Sequence, residues 1–230
     1  MRIVAFMFAM LLLNACNIKE GSGNIVSETR TTGGFDGVRV GGGFEVDITK
    51  GETHSVIIEA DDNLIRNIET NVNNGMLVIK SRNNSRNAHL KAIITTPELN
   101  RVDASASANV DVKGAFTSPG DVHYEASSAA DIKADIITPE VNTNASSGGE
   151  ITLTGRTRKF KGSASSGGVI DAKNLLSEIS TADCSSGGTI KVFASVQLDA
   201  SASSGASIVY KGGGKVKKSV SSGGSVSTID

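Results

Sequence analysis

Ser165-Ser166-Gly167-Gly168-Val169-Ile170 is a block of tiny residues closed by β-branched ones, and the chain beyond about residue 100 repeats it with variations. Copies stand at 105–110, 127–132, 146–151, 165–170, 185–190, 203–208 and 221–226. The four fullest place Ser146, Ser147, Gly148 and Gly149 in one, Ser165, Ser166, Gly167 and Gly168 in the next, then Ser185, Ser186, Gly187 and Gly188, and finally Ser221, Ser222, Gly223 and Gly224. Successive first serines lie 22, 19, 19, 20, 18 and 18 residues apart. A fixed period of this size means one structural unit per repeat, stacked on its neighbours.

Leucine-rich repeats share the period, so the content of the unit decides. No L-x-x-L-x-L pattern and no helical spacing occurs. Each unit holds two short alternating segments, such as Val141 to Ala145 and Ile151 to Gly155, on either side of the small block. Alternation rich in Val, Ile and Thr, broken by Gly and Ser, predicts strand, tight turn, strand. A hairpin would not repeat at one coil's length in one register, whereas a parallel β-helix would. The sequence therefore predicts an all-β, single-stranded parallel β-helix, a solenoid of about 19 residues per coil. Its seven coils, ~4.8 Å apart, make a rod roughly 34 Å long.

The small block suits a sharp corner between two sheets. Glycine supplies positive φ there, and minimal bulk lets equivalent residues of successive coils approach closely. Stacked serines add the option of hydrogen bonds along the ladder. A serine strip that binds a ligand is the functional alternative. A feature present in every repeat is more readily architecture, with function on what breaks the repeat.

The N-terminus carries a targeting segment. Arg2 begins it, Ile3 to Leu13 is apolar but too short to span a bilayer, and Leu13-Asn14-Ala15-Cys16 resembles the lipobox of bacterial lipoproteins. Residues 1–15 are accordingly expected to be a signal peptide and Cys16 the lipidated first residue of the mature protein. Asn14 is an unusual occupant of its position. Residues 16–30 are expected to tether the lipid to a domain over 31–230. Besides Cys16 there is only Cys184, so the mature chain forms no internal disulfide. Cys184 stands where other repeats carry Ala126, Ala145 and Ala164, which predicts a small buried residue.

Charge is balanced, with 23 basic and 24 acidic residues and a net charge of −1, so nothing global recruits nucleic acid. With no Trp and two Tyr, the core must be Val, Ile, Leu and Ala.

Residues 24–100 are β-rich but less regular. Two strands flank Gly41-Gly42-Gly43, further strands flank the strong turn signal Asn74-Gly75, 81–87 is expected to be an exposed loop, and 89–95 another strand. Pro97, Pro119 and Pro139 precede the first serines of three blocks by 8, 8 and 7 residues. Proline lacks a ladder donor, so its recurrence at one offset predicts a second corner of the coil.

These features together, the GGF-x-V-x-I at 42–48, the NGML-x-IK at 74–80, the TPEL at 96–99 and the S-S-G-G run, resemble the autotransporter-adhesin head domain family, also called the GIN domain, over roughly 34–226. Members are secreted or lipid-anchored proteins frequent in Bacteroidetes. The resemblance implies a β-helix akin in shape to pectin lyases, without a recognised catalytic set, and a role in adhesion.

A pectin-cleaving enzyme would need clustered carboxylates with a basic residue. Acidic residues at equivalent coil positions are Asp103 with Glu125, and Asp111 and Asp131 with Glu150, whose side chains need not share a face. His54, His89 and His123 lack metal-ligand spacing, and no glycine-rich stretch opens a helix. No catalytic residue, metal or cofactor is expected. Arg156, Arg158, Lys159 and Lys161, and later Lys211, Lys215, Lys217 and Lys218, form either a basic edge for an anion or solvated connections. The last of these also suit protection of the final coil from adding a strand. The sequence thus predicts an outer-membrane lipoprotein of the cell envelope, acting without enzymatic activity as an adhesin for a glycan or protein on a host or neighbouring cell. Oligomers are compatible with it. The alternatives are a structural envelope protein and a pectin-lyase-like enzyme.

Overall fold

Alternating apolar and polar residues on each side of the small block become two strands meeting at a corner. In the computed structural model, which describes residues 18–229, strands of successive repeats pair in parallel, and each repeat is one coil of a β-helix. Register follows sequence phase. Val110 lies beside Ile132, and the column continues through Ile151, Ile170, Ile190 and Ile208 to Val226. From Val110 to Ile208 these side chains are at most 1% exposed, and burying each contributes about 1.5–3 kcal/mol.

This column belongs to the ladder that follows each turn. The ladder that precedes it stacks Val38, Val102, Tyr124, Thr143, Gly162, Ala182, Ala200 and Lys218 at one inward position. At the next it stacks Val40, Ala104, Ala126, Ala145, Ala164, Cys184 and Ala202. Cys184 is thus a buried member of an alanine column, as its sequence position predicts. A short third ladder closes the middle coils through Phe116, Ile136, Gly155 and Leu175.

The corner between the first two ladders is a type I′ turn in every full repeat. Ser166 and Gly167 both have positive φ, 49° and 75°, and the Gly168 amide donates to the Ser165 carbonyl at 2.8 Å. Ser147, Ser186, Ser204 and Ser222 hold the same conformation. Successive turns are tied by backbone rather than by serine hydroxyls: Gly148 N–H donates to Ser166 O, Gly167 N–H to Ser186 O and Gly187 N–H to Ser204 O, at 3.1–3.2 Å. The two glycines serve separate needs. Gly167 supplies φ and faces open space, while a Cβ on Gly168 would be driven into the Ala145 carbonyl of the preceding coil. Ala108, Ala130 and Ala206 hold the last station in other coils, so glycine there answers the spacing of particular coils.

The prolines do mark a second corner, and each follows a hydroxyl residue that the sequence reading passed over. Thr96, Ser118, Thr138, Thr157 and Ser177 are buried in successive coils. Thr96, Thr138 and Thr157 donate to the carbonyl two residues ahead, at 2.8, 3.1 and 3.0 Å. The hydroxyl satisfies a carbonyl that the bend removes from the ladder.

The N-terminal part closes one end of the rod. Val38 and Val46 flank Gly42 and Gly43, both with positive φ, and form the first regular coil, beneath which Met76–Ser81 and Leu90–Thr96 add another in parallel. The chain then reverses. Ile68–Asn73 pairs antiparallel with Met76–Ser81 across Asn74-Gly75, and Ser55–Asp61 pairs antiparallel with Leu90–Thr96. The expected tether over 16–30 is corrected here for its described residues. Lys19–Glu20 pairs with Ser85–Arg86, inside the expected loop, and Ile25–Arg30 pairs antiparallel with Ser55–Asp61. An open strand edge at the end of the helix needs a partner, and this polar segment supplies it.

At the other end the last coil carries Lys218 at an inward station, in register with Ala200. Its ammonium sits 5.0 Å from the centre of the Tyr210 ring and donates to the Val226 carbonyl at 3.3 Å. An inward-pointing charge on an edge strand blocks further stacking.

Two outcomes are expected. Gly168→Val should lower stability by about 1–3 kcal/mol through overpacking, and Gly167→Ala by about 1–2 kcal/mol through the left-handed backbone alone. Urea unfolding checks both, and an unchanged midpoint for Gly168→Val would refute close stacking at the turn. Lys218→Val should increase self-association, seen as a larger mass by light scattering; a variant with the wild-type mass would remove Lys218 as the end guard.

Candidate functional site

The outer face of the ladder preceding each turn carries two rows of side chains in register. One runs Arg39, Asp103, Glu125, Asn144, Ser163, Asp183, Ser201, Ser219, and the other Arg101, His123, Asn142, Lys161, Thr181, Asp199, Lys217. Four depressions on this face share walls. Arg39, Asp103 and Glu125 line the first, with Ser105 and Ser127 at its rim, and Glu125 continues into the second beside Arg101, His123 and Asn142. Asn142 leads to the third with Lys161 and Ser163, and Thr181 and Asp183 lead to the fourth with Asp199, Ser201, Lys217 and Ser219. They form one groove along the rod. Behind its far half the inward residues are small, with Gly162, Ala182 and Ala200 at one station and Ala164, Cys184 and Ala202 at the next.

The groove's two halves differ electrostatically. Near the cap, Arg39 and Arg101 both donate to Asp103 at 2.7 Å, and Arg101 reaches Glu125 at 3.3 Å. Farther along, Lys161 bonds Glu140, whose carboxyl that contact holds below its ordinary range. Beyond Lys161 the pairing thins to one contact, in which Gln197 Nε2 donates to Asp199 at 2.8 Å. Thr181, Asp183, Ser201, Lys217 and Ser219 make no side-chain hydrogen bond or ion pair with other described residues.

The stacked serines do not form a site. Ser147, Ser166, Ser186 and Ser222 stand exposed on the turn column, joined only through their backbones. Cys16, the expected lipidation residue, lies outside the described residues. Asp111, Asp131 and Glu150 all face outward, since each flanks the inward column, and Asp131 lies beside Glu150 while Asp111 pairs in register with Lys133. The basic run from Arg156 to Lys161 divides: Arg156 is on the third ladder's exposed face, and Lys159 and Lys161 lie against Glu140. Lys211 donates to Asn174, Lys218 turns over the rod's end, and Lys217 enters the groove, so the later lysines form no single edge. His54 packs its ring 4.7 Å from Phe35, His89 stands 3.9 Å from Glu59, and His123 lines the groove.

Asp183, Asp199 and Lys217 are the nearest approach to a catalytic set. Diagonal neighbours on a sheet lie about 7–8 Å apart, which is the relation of Asp183 to Asp199. Both carboxylates lie on an open sheet, without walls that exclude water. Among the described residues no three His, Cys, Asp or Glu converge to hold a metal ion. Two titratable groups are taken out of reach by the core. Burial pushes the Cys184 thiol up, and burial likewise pushes up the phenol of Tyr124, whose Oη has no hydrogen-bond partner. Neither serves as a nucleophile or acid in the groove.

Solved structures of similar shape come from Bacteroides and Parabacteroides species. A "putative adhesin" from Bacteroides fragilis matches at a TM-score of 0.82 with 21% identity, over 91% of this chain and 98% of that one. A "putative adhesin" from Parabacteroides distasonis matches at 0.75 with 18% identity, over 93% and 100%. A "putative lipid binding protein" from the same species matches at 0.71 with 19% identity, over 92% and 99%. At these identities the likeness establishes the fold. No curated protein matches the chain. The family model described as "putative auto-transporter adhesin, head GIN domain" matches residues 34–214, from just before the first coil up to the strands of the last one, and the chain belongs to that family.

Proposed function

We propose that this chain is a lipid-anchored protein of the cell envelope that binds through its groove and leaves what it binds chemically unchanged. One observation carries the reading: an open groove crosses successive coils and ends in polar side chains of which only Asp199, bonded to Gln197, has an intramolecular partner. A rigid polar surface of this kind suits weak contacts multiplied over many anchored copies, in which avidity replaces a deep pocket. The family's adhesin description supports binding to another cell or its matrix. Against catalysis stand the exposure of Asp183 and the lack of a converging third carboxylate or histidine. Anchoring rests on the lipobox-like residues ending at Cys16. Among the described residues no helix is long and apolar enough to cross a membrane.

Cys16→Ser should abolish partition into a detergent phase, because each buried acyl CH₂ contributes about 0.8 kcal/mol. A wild-type protein that stays in the aqueous phase would refute the anchor. Cells carrying the protein should adhere to matrix or partner cells more than cells lacking it, and purified protein should release no reducing or unsaturated sugar from a polysaccharide panel. Equal adhesion would favour a structural envelope role, and sugar release an enzyme.

A further inference from the structure

The groove's end farthest from the cap constrains the chemistry of its ligand, given the binding role proposed above. A ligand following the groove crosses strands at steps of about 4.8 Å and lies along the rod axis, so it must be linear. It meets carboxylates, hydroxyls and one ammonium, with no aromatic or aliphatic anchor among the lining side chains of the fourth depression apart from Ala200, which faces the core. A helical peptide needs an apolar groove and a strand needs a free sheet edge, and this face offers neither. A polyanion such as a nucleic acid or sulfated glycan would meet Asp183 and Asp199 as well as Lys217, leaving no positive balance to hold it.

A cationic chain would meet Lys217, which lies in register beside Asp199, so the ligand that engages all three charged groups is an uncharged chain rich in hydroxyls. Ionised carboxylates only accept hydrogen bonds and sugar hydroxyls donate them, while Lys217 donates to ring or hydroxyl oxygens. The other outer faces differ in character, and parts of them are engaged in ion pairs or are apolar. On the ladder after the turn, Asp47 bonds Lys91 and Lys113 at 3.2 and 2.9 Å, and Asp171 bonds Lys173 at 2.8 Å. The third ladder exposes Ile137 and Leu176. We infer that the groove around Asp183, Asp199 and Lys217 binds a linear, neutral glycan laid along the rod axis.

The test uses the full mature chain with Cys16→Ser for solubility, run through native gels containing neutral β-linked glucan, xylan or mannan, with heparin and polygalacturonate as polyanion arms. Retardation by at least one neutral polysaccharide is expected. Asp183→Asn combined with Asp199→Asn should weaken it at least tenfold, while Asp111→Asn on another face leaves it unchanged. All three positions face solvent, and circular dichroism melts check that each variant folds. No retardation by any neutral polysaccharide, retardation by polyanions only, or full retardation of the double variant would overturn the inference. Adhesion separates this failure from failure of the binding role. Cells with the double variant that adhere like wild type refute only the glycan groove, whereas cells lacking the protein that adhere equally well refute the role itself.

Discussion

Two consecutive residues held at positive φ, at the same corner of each coil, are the constraint on which this rod depends. The first of the pair is a serine in five full copies, although a non-glycine residue in that region costs about 1–2 kcal/mol. The strain persists because the turn aims one amide at the next coil's carbonyl and so sets the stacking distance for both flanking ladders. Differences in coil length are absorbed on the far side. The longest coil breaks register between Val112 and Ala115, the next longest between Asp171 and Asn174, and the short coils near the end drop the third ladder. The turn and the isoleucine column behind it never shift.

Side-chain size then divides the faces. One sheet rests on a column of isoleucines, while the other rests largely on alanine, glycine and cysteine. Tyr124 and Phe160 are large residues in the second sheet, and Phe160 shows how one is accommodated. Its ring fills the space above Gly162, where a Cβ would come within 2.7 Å of the ring. In that coil the ring is accommodated because the residue two places on has no side chain, whereas Tyr124 packs two places before Ala126.

How much of this was legible in the sequence follows from what repeats. The coil phase, the inward isoleucines, the alanine station of Cys184 and the proline corner recur at one period, and each could be placed by counting. The cap could not, because the reversed strands 55–61 and 68–73 find their partners through antiparallel pairing that no period encodes. Residues 18–30 looked like linker because polar strands at an edge lack the alternation that marks a core strand. Only Asn74-Gly75 betrayed the reversal. The groove was hidden for the opposite reason: its outward residues differ from coil to coil, and a shared face becomes visible only when Asp103, Glu125 and Asp183 are aligned by register. The buried hydroxyls had a signal in plain view, a Ser or Thr immediately before each proline.

The cap also decides geometry at the cell surface. With acyl chains on Cys16, as proposed, only Asn17 and Ile18 separate the lipid from Lys19, which is already paired to Ser85. Extended chain spans at most about 3.3–3.6 Å per residue, so the leash is roughly 10 Å, shorter than the rod. Anchored in this way, the protein would keep its capped end close to the headgroups, and the distance its groove could reach would be counted in coils, making repeat number rather than linker length the quantity that sets reach.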